Sequence, residues 1–352
     1  MISRHTAKRV LRTSAIRAGM ETIALSGAGT FWRRTAGRGI IFTLHHVRPA
    51  GDHAHGPNAL LSVTPRFLEQ TIATCLDRGL LPLPLEKLPE RLADPRDEQR
   101  YFCMTLDDGY RDNATFAAPI FRRYEVPYTI FLTRGFIERS RSMWWETVEA
   151  LLGKETALTF DFGDGEQTVR AETKAQKFAL FDRFSRFVSG TEEDEAVERI
   201  DGLARGCGID PLALVDQLTM NPEDLNVLQK EDHLARFGGH TLTHVNLKRV
   251  SVERLKREIT GSAQALEHHV GYRPTTFAYP YGFAAAAGER EFDAVRAAGF
   301  SVGVTTMPGL LDPTSLNRPT GLPRVSLNGL YQRKRYVGAL LSGIPFKFSG
   351  SG

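Results

Sequence analysis

The run Tyr101-Phe102-Cys103-Met104-Thr105-Leu106 ends abruptly in Asp107-Asp108-Gly109, and this junction limits the folds open to the chain more than any other segment. A short apolar run reads as a buried strand. The two carboxylates then sit at its carboxyl end, where open and barrelled α/β sheets place their sites. Other strand candidates occupy residues 40–44, 128–132, 234–239, 277–279 and 302–305. Between them lie helix signals: Thr64-Pro65 opens a helix closing near Gly79, and Ser251 caps one that ends before Gly271. Strands alternating with helices predict an α/β fold.

The pattern changes between about residues 140 and 230. Phe178, Phe181, Phe184, Phe187 and Val188 recur at helical spacing, and Thr191-Glu192, Asp210-Pro211 and Asn221-Pro222 read as further helix starts. The expectation is one catalytic domain over residues 39–330 carrying a helical insertion, with the phenylalanine stripe as packing. The insertion is a candidate wall of a substrate groove. The 352 residues, 41% apolar and 24% charged, suit a soluble globular enzyme. Cys75, Cys103 and Cys207 are odd in number and far apart, which supports neither a disulfide framework nor a zinc knot and fits a reducing compartment.

A second motif, His240-Thr241-Leu242-Thr243-His244, follows the strand candidate at 234–239, and its histidines converge if they lie within one helical turn. Asp-Asp-Gly alone is also a turn sequence, and an i, i+4 histidine pair arises by chance on helices. Together they read as a split metal site, in which one carboxylate and two neutral imidazoles would bind a divalent cation and the other carboxylate would hold a proton.

With Thr105 to Gly109, His240 to His244, and Ala278-Tyr279-Pro280-Tyr281-Gly282, the chain resembles the polysaccharide deacetylase family, the NodB-homology carbohydrate esterases, over roughly residues 39 to 328. The resemblance implies a distorted (β/α) barrel of about seven strands. It implies that Asp108, His240 and His244 hold a divalent metal, zinc first, with cobalt or nickel as alternatives. Asp107 would be the general base, and the backbone N–H of Tyr281, aimed by Pro280, would stabilise the oxyanion. Two departures stand out. Ala278 replaces the arginine usual in the third motif. The histidine of a Leu-x-His motif is also absent, since all ten histidines lie at or before His269. The resemblance therefore leaves the acid to His45, at the end of the first strand, or to Asp107 returning its proton. Arg324, in Leu322-Pro323-Arg324-Val325, is the candidate for the missing arginine's orienting role, with a structural salt bridge as the alternative.

Several conspicuous residues have two readings. Trp145, with Trp144, offers a sugar-stacking face or buried packing; with Arg324 it is carried as a substrate-binding candidate. Arg111, Asp112 and Asn113 either orient the metal-site carboxylates or are solvated turn residues. His46 points away from His45 in a strand, so at most one of them reaches the pocket. His268 and His269 read as the basic end of a helix.

The expected reaction is deacetylation of N-acetylated amino sugars in a glycan or glycolipid. The alternatives are hydrolysis of a cyclic imide or ureide, or of an O-acetyl ester, by the same site, and a non-catalytic glycan-binding or membrane-associated protein. Residues 1–38 form a basic arm with eight Lys/Arg and one Glu, and residues 331–352 a basic and apolar tail. These ends supply much of the net charge of +4. Neither an export signal nor a transmembrane run is evident, so the expected location is cytoplasmic, with peripheral contact to an anionic inner-membrane surface as a further reading. Nucleic acid is not an expected partner, because no aromatic-basic pattern accompanies the charge.

Overall fold

The computed structural model describes residues 4–26 and 37–347. Its centre is a parallel sheet of β1 (Gly39–Leu44), β2 (Leu80–Pro82), β3 (Arg100–Leu106), β4 (Tyr128–Leu132), β5 (Ala235–Gly239), β6 (Thr276–Ala278), β7 (Val302–Val304) and β8 (Val325–Ser326). The strand order is β7-β6-β5-β4-β3-β1-β8, with β2 beside the start of β3. A parallel bridge from Val304 to Leu322 brings the far edge of the sheet towards the segment that leads into β8. Seven parallel strands thus curl into the distorted barrel expected from the motifs.

The period-two alternation of strands sorts side chains between two cores. Phe102, Met104 and Leu106 pack outward against helices that include Pro65–Asp77 and Val252–Val270. Tyr101 and Cys103 turn the other way, joining Ile41, Phe131, Ala278 and Val304. Continued along β1 and β3, the inward series runs Ile41, Thr43, His45 and Cys103, Thr105, Asp107. A catalytic group at the strand end is therefore an extension of the interior packing pattern.

Thr64 caps the Pro65–Asp77 helix by accepting from the Phe67 N–H at 3.3 Å. The Val252–Val270 helix starts after Ser251 and ends at the left-handed Gly271, with His268 and His269 in its last turn as expected. The insertion is less purely helical than its pattern predicts. Helices Trp144–Lys154, Lys174–Gly190, Glu193–Gly206 and Pro211–Leu218 are joined by an antiparallel hairpin, Ala157–Asp161 with Glu166–Arg170. The hairpin was not foreseen because its second strand, Glu-Gln-Thr-Val-Arg, is largely polar and exposed. Phe184, Phe187 and Val188 bury against Trp145, Val148 and Ile200 in a core that also includes Tyr110 and Phe136 of the barrel. The stripe is packing, and it fastens the insertion over the site end of the sheet.

The arm is helical over Arg4–Leu25. Glu21 accepts from Arg333, Arg335 and the Tyr336 hydroxyl, each at 2.6 Å, joining the helix to the Lys334–Leu341 helix. Hydrogen bonds from Arg335 and Tyr336, with the charge of Arg333, draw the Glu21 carboxyl from 4.5 down to about 2. A depressed folded-state pKa stabilises above the unfolded value and is lost as pH falls through the folded one. The contribution of Glu21 to docking of this helix is therefore expected to fade between about pH 4.5 and 2. Hydrogen exchange over residues 13–25 should rise in that window, and in Glu21→Gln it should already be raised at neutral pH.

Among the described residues no helix is long and apolar enough to cross a membrane. Cys75, Cys103 and Cys207 are free thiols.

Candidate active site

Asp107 lies at the mouth of the barrel, buried, with its two carboxylate oxygens gripped by the Arg324 guanidinium. Nη1 donates to Oδ1 and Nη2 to Oδ2, both at 2.7 Å. Arg324 itself is fully buried. It also donates to the Thr105 hydroxyl at 3.0 Å and to the Thr305 carbonyl at 2.8 Å. The planar fork of arginine suits this two-pronged grip; a lysine ammonium does not. Burial pushes the Asp107 carboxyl up, and the adjacent guanidinium more than offsets it, holding the group below the usual carboxylate range. Ala278, in place of the third-motif arginine, faces the same interior. Arg324 reaches Asp107 from the opposite edge of the sheet, and its guanidinium is committed to protein partners.

Asp108 turns away from Asp107 because its backbone is left-handed, φ 72°, and Gly109 follows at φ 70°. A Cβ at Gly109 would meet the Leu132 side chain at 2.6 Å, so glycine is required there. Asp108 Oδ1 lies 3.5 Å from His240 Nε2 and 3.3 Å from His244 Nε2. The three side chains are buried, and one ligand atom from each falls within 4.8 Å of the others.

The His240–His244 segment is not a helical turn, as expected from its spacing, but an irregular loop leaving β5. Thr241 and His244 adopt φ 68° and 56°. Four of the six left-handed non-glycine residues in the described structure, Asp108, Thr241, His244 and Tyr281, belong to this site, a concentration typical of functional centres. Glu258 stabilises the loop: its carboxylate accepts from the Leu242 and Thr243 N–H groups at 2.9 and 3.0 Å and from the Thr243 hydroxyl at 2.8 Å. Its clue in the sequence is position. Glu258 shares the buried stripe of the Val252–Val270 helix with Leu255, Ile259, Ser262 and Leu266, where a carboxylate needs partners.

The donor set fits a divalent ion. His240 Nδ1 donates to the Ala278 carbonyl at 2.7 Å, fixing the tautomer that leaves Nε2 free as a ligand. Asp108 Oδ1 is buried without a hydrogen-bond partner, an arrangement that a cation would satisfy. Burial presses the His244 imidazole down to about 3, which keeps it neutral at physiological pH, as ligation requires.

The family model described as polysaccharide deacetylase matches residues 94–303, more than half of the sequence. The chain belongs to the polysaccharide deacetylase family. No curated protein matches the sequence. Among solved structures, the fold is similar to a Streptococcus pyogenes deacetylase, PplD, in complex with acetate, at 16% identity and TM-score 0.54, covering 82% of this chain and 92% of that one. It is also similar to BC0361, a polysaccharide deacetylase from Bacillus cereus, at 12% identity and TM-score 0.53, covering 86% and 68%. The third is IcaB from Ammonifex degensii, at 14% identity and TM-score 0.51, covering 86% and 97%. At these identities the likeness concerns the fold.

In this polysaccharide deacetylase, His45 and His46 separate as strand alternation predicts. His45 is half-buried at the end of β1. Burial lowers its imidazole pKa against the pull of Asp108 and Asp107. His46 is fully buried, with Nδ1 2.5 Å from Asp112 and Nε2 3.4 Å from Glu146. Those two carboxylates outweigh its burial and raise it. Asp112 also accepts from the Val47 N–H at 3.0 Å, and Asn113 donates to the His45 carbonyl at 2.7 Å. Arg111 donates to Asp224 at 2.5 Å. The residues after the metal motif are therefore ordered, but their recorded partners are the loops carrying His45 and the insertion rather than Asp107 or Asp108.

Trp145 is buried, its ring 4.8 Å from that of His244 and its N–H donating to the Tyr110 hydroxyl at 2.9 Å. Tyr110 in turn donates to Glu146 at 3.1 Å. Trp145 is thus a wall behind a candidate ligand, closer to the packing reading than to a sugar platform.

Tyr281, at φ 62°, packs its ring 5.2 Å from His244, and among the described residues its N–H has no acceptor. Its hydroxyl donates to Glu193 at 2.6 Å and accepts from Trp144 at 3.0 Å. Glu193 begins an insertion helix and also accepts from the Asn246 N–H at 2.8 Å. Burial pushes its carboxyl up, while Asn246, Tyr281 and the charges of Arg141 and Arg249 pull it back. Neither Glu193 nor the pair Tyr110 and Glu146 was foreseen. Each is joined to the centre through partners distant in sequence.

Proposed function

We propose that this deacetylase is a metal-dependent hydrolase removing acetyl groups from N-acetylated amino sugars in a glycan or glycolipid precursor. The observation that carries the reading is a buried carboxylate, Asp107, kept ionised by Arg324 directly beside the Asp108, His240 and His244 cluster. A divalent ion held by those three residues supplies Lewis-acid polarisation of an acyl carbonyl and acidification of a water. Asp107 takes a proton from the attacking water. The Tyr281 N–H, unspent within the described structure and fixed by the turn at Pro280, stabilises negative charge on the acyl oxygen. The departing amine takes its proton either from His45, whose charged form burial disfavours, or from Asp107 returning the one it took.

Acetate release from N-acetylated and O-acetylated glycans, with a cyclic imide alongside, tests the reading. Metal-stripped protein is compared with and without added zinc, cobalt or nickel. Metal-restored release from an N-acetylated member is expected. If metal binds and only the imide turns over, the reading gives way to other C–N hydrolysis. Silence on every substrate would instead favour a glycan-binding role, which leaves a poised general base beside a metal triad without a purpose.

His45→Ala is expected to lower turnover by about 10²-fold, with metal uptake unchanged, by removing a general acid. Wild-type rates would return that step to Asp107. The basic sequence of the Arg4–Leu25 helix, beside Arg333, Lys334 and Arg335, supports peripheral contact with an anionic membrane and a cytoplasmic-face location. Salt-sensitive sedimentation with vesicles containing phosphatidylserine, and none with neutral vesicles, is expected.

A further inference from the structure

Two loops of the site leave different strands of the barrel, and one side chain of the insertion touches both. Glu193 opens the helix Glu193–Gly206 and is buried to 4% exposure. Its Oε1 accepts from the Tyr281 hydroxyl at 2.6 Å, and its Oε2 from the Asn246 N–H at 2.8 Å. Tyr281 stands on the loop after β6, and Asn246 two residues beyond His244 on the loop after β5. A buried carboxylate needs such partners. Here they are the backbone of a candidate-ligand loop and the side chain of the candidate oxyanion donor.

Neither loop is held by regular secondary structure. Tyr281 and His244 are left-handed, at φ 62° and 56°, conformations that persist where the surroundings impose them. On the backbone side, the Tyr281 carbonyl accepts from the Thr306 hydroxyl at 2.7 Å. On the side-chain side, the Tyr281 hydroxyl meets Glu193 and the Trp144 N–H, at 3.0 Å, and both partners belong to the insertion. The start of the Glu193 helix is itself anchored. Glu192 and Asp194, on either side of Glu193, pair with the Arg254 guanidinium at 3.2 and 2.6 Å, and Arg254 also reaches the Thr243 hydroxyl inside the His240–His244 loop at 3.5 Å. Glu193 therefore projects from a fixed point.

We infer that Glu193 is a positioning residue: it holds the Tyr281 turn and the loop carrying His244 in fixed relation, so that the insertion completes a site whose candidate base and ligands all stand on the barrel. The inference rests on the proposed role of the Tyr281 N–H. Its rival is a purely structural Glu193, which fastens the insertion and leaves the reaction untouched.

Hydrogen exchange and steady-state kinetics on the full chain separate the two, using Glu193→Ala, Tyr281→Phe and the double variant. In metal-free protein, Glu193→Ala should raise exchange about tenfold over residues 244–247 and 279–283 while the central strand β3 keeps its protection. Tyr281→Phe keeps the Asn246 contact, so it should raise exchange over 279–283 alone. With zinc added and a tetramer of N-acetylglucosamine as substrate, Glu193→Ala should lower kcat about 10–100-fold, approaching the loss of an oxyanion donor. KM should stay within about threefold, because the interaction at stake is made in the transition state. Tyr281→Phe should show the same split, and the double variant should be no slower than Glu193→Ala alone, since both changes act through one contact. Should Glu193→Ala fold poorly, Tyr281→Phe, which deletes a single hydroxyl, carries the same kinetic test. Wild-type kcat in Tyr281→Phe, a double variant slowed by the product of the singles, or exchange raised throughout the insertion rather than at the two loops overturns the inference. Failure of the catalytic reading would look different: the exchange pattern would hold while the wild type released no acetate.

Discussion

Replacing Asp107 with asparagine is expected to cut turnover by about 10²–10⁴-fold, the usual contribution of a general base, while the protein still takes up zinc. The amide cannot accept a proton from water, yet Asp108, His240 and His244 remain in place. His240→Ala should behave differently. It removes a candidate ligand nitrogen whose ring the Ala278 carbonyl holds in position, so metal and turnover should fall together. Metal content measured beside acetate release distinguishes the two variants. Turnover preserved in Asp107→Asn would remove it from the role of base.

Arg324→Met carries the largest expected cost to stability. Removing one partner of a buried ion pair leaves the other charge uncompensated and typically costs about 3–5 kcal/mol, which denaturant unfolding would register. Without the guanidinium, burial pushes the Asp107 carboxyl up. The acidic limb of the pH–rate profile should therefore move to higher pH, and the neutral-pH rate should drop. Arg324→Lys should recover only part of both losses, because an ammonium cannot span both oxygens at 2.7 Å. The double variant Asp107→Asn with Arg324→Met tests the pairing itself. Stability should return towards the wild type while activity stays absent, since no charge is then buried alone. A double variant as unstable as the sum of the singles would show that Arg324 supports the barrel independently of Asp107.

The residues that were legible in the sequence are those whose chemistry is written locally. Asp107 and Asp108 are adjacent, and His240 and His244 are separated by one short loop, so their meeting needed only two strand ends on one side of a sheet. Thr64, Ser251 and Gly271 marked helix limits because capping is likewise a local event. Short elements were obscure: β2 ends in Pro82, and β8 has two residues, too few to show alternation. The irregular His240–His244 loop was read as helical because its spacing also satisfies a helix. Glu258, from the following helix, and the left-handed Thr241 and His244 show otherwise. Glu193 directly follows the Thr191-Glu192 helix start, and nothing near it in sequence announces Tyr281 as its partner. For Arg324 the sequence offered an orienting role and a structural salt bridge; the two-pronged contact with Asp107 is the salt bridge, and it sits where the orienting role would need it.

Asp107 and Arg324 are separated by 217 positions, and this distance orders the enzyme's birth on the ribosome. The three candidate ligands have all been synthesised by residue 244, but the countercharge for the base emerges only with residue 324, at the threshold of the two-residue strand β8. Synthesis proceeds from the amino terminus, and long-range pairing forms late. A chain ending before Arg324 thus carries all three candidate ligands but lacks the guanidinium that grips Asp107. Under the proposed function, metal capture and hydrolytic competence would be separate events in its maturation, and docking of the last strand would be the step that arms the enzyme.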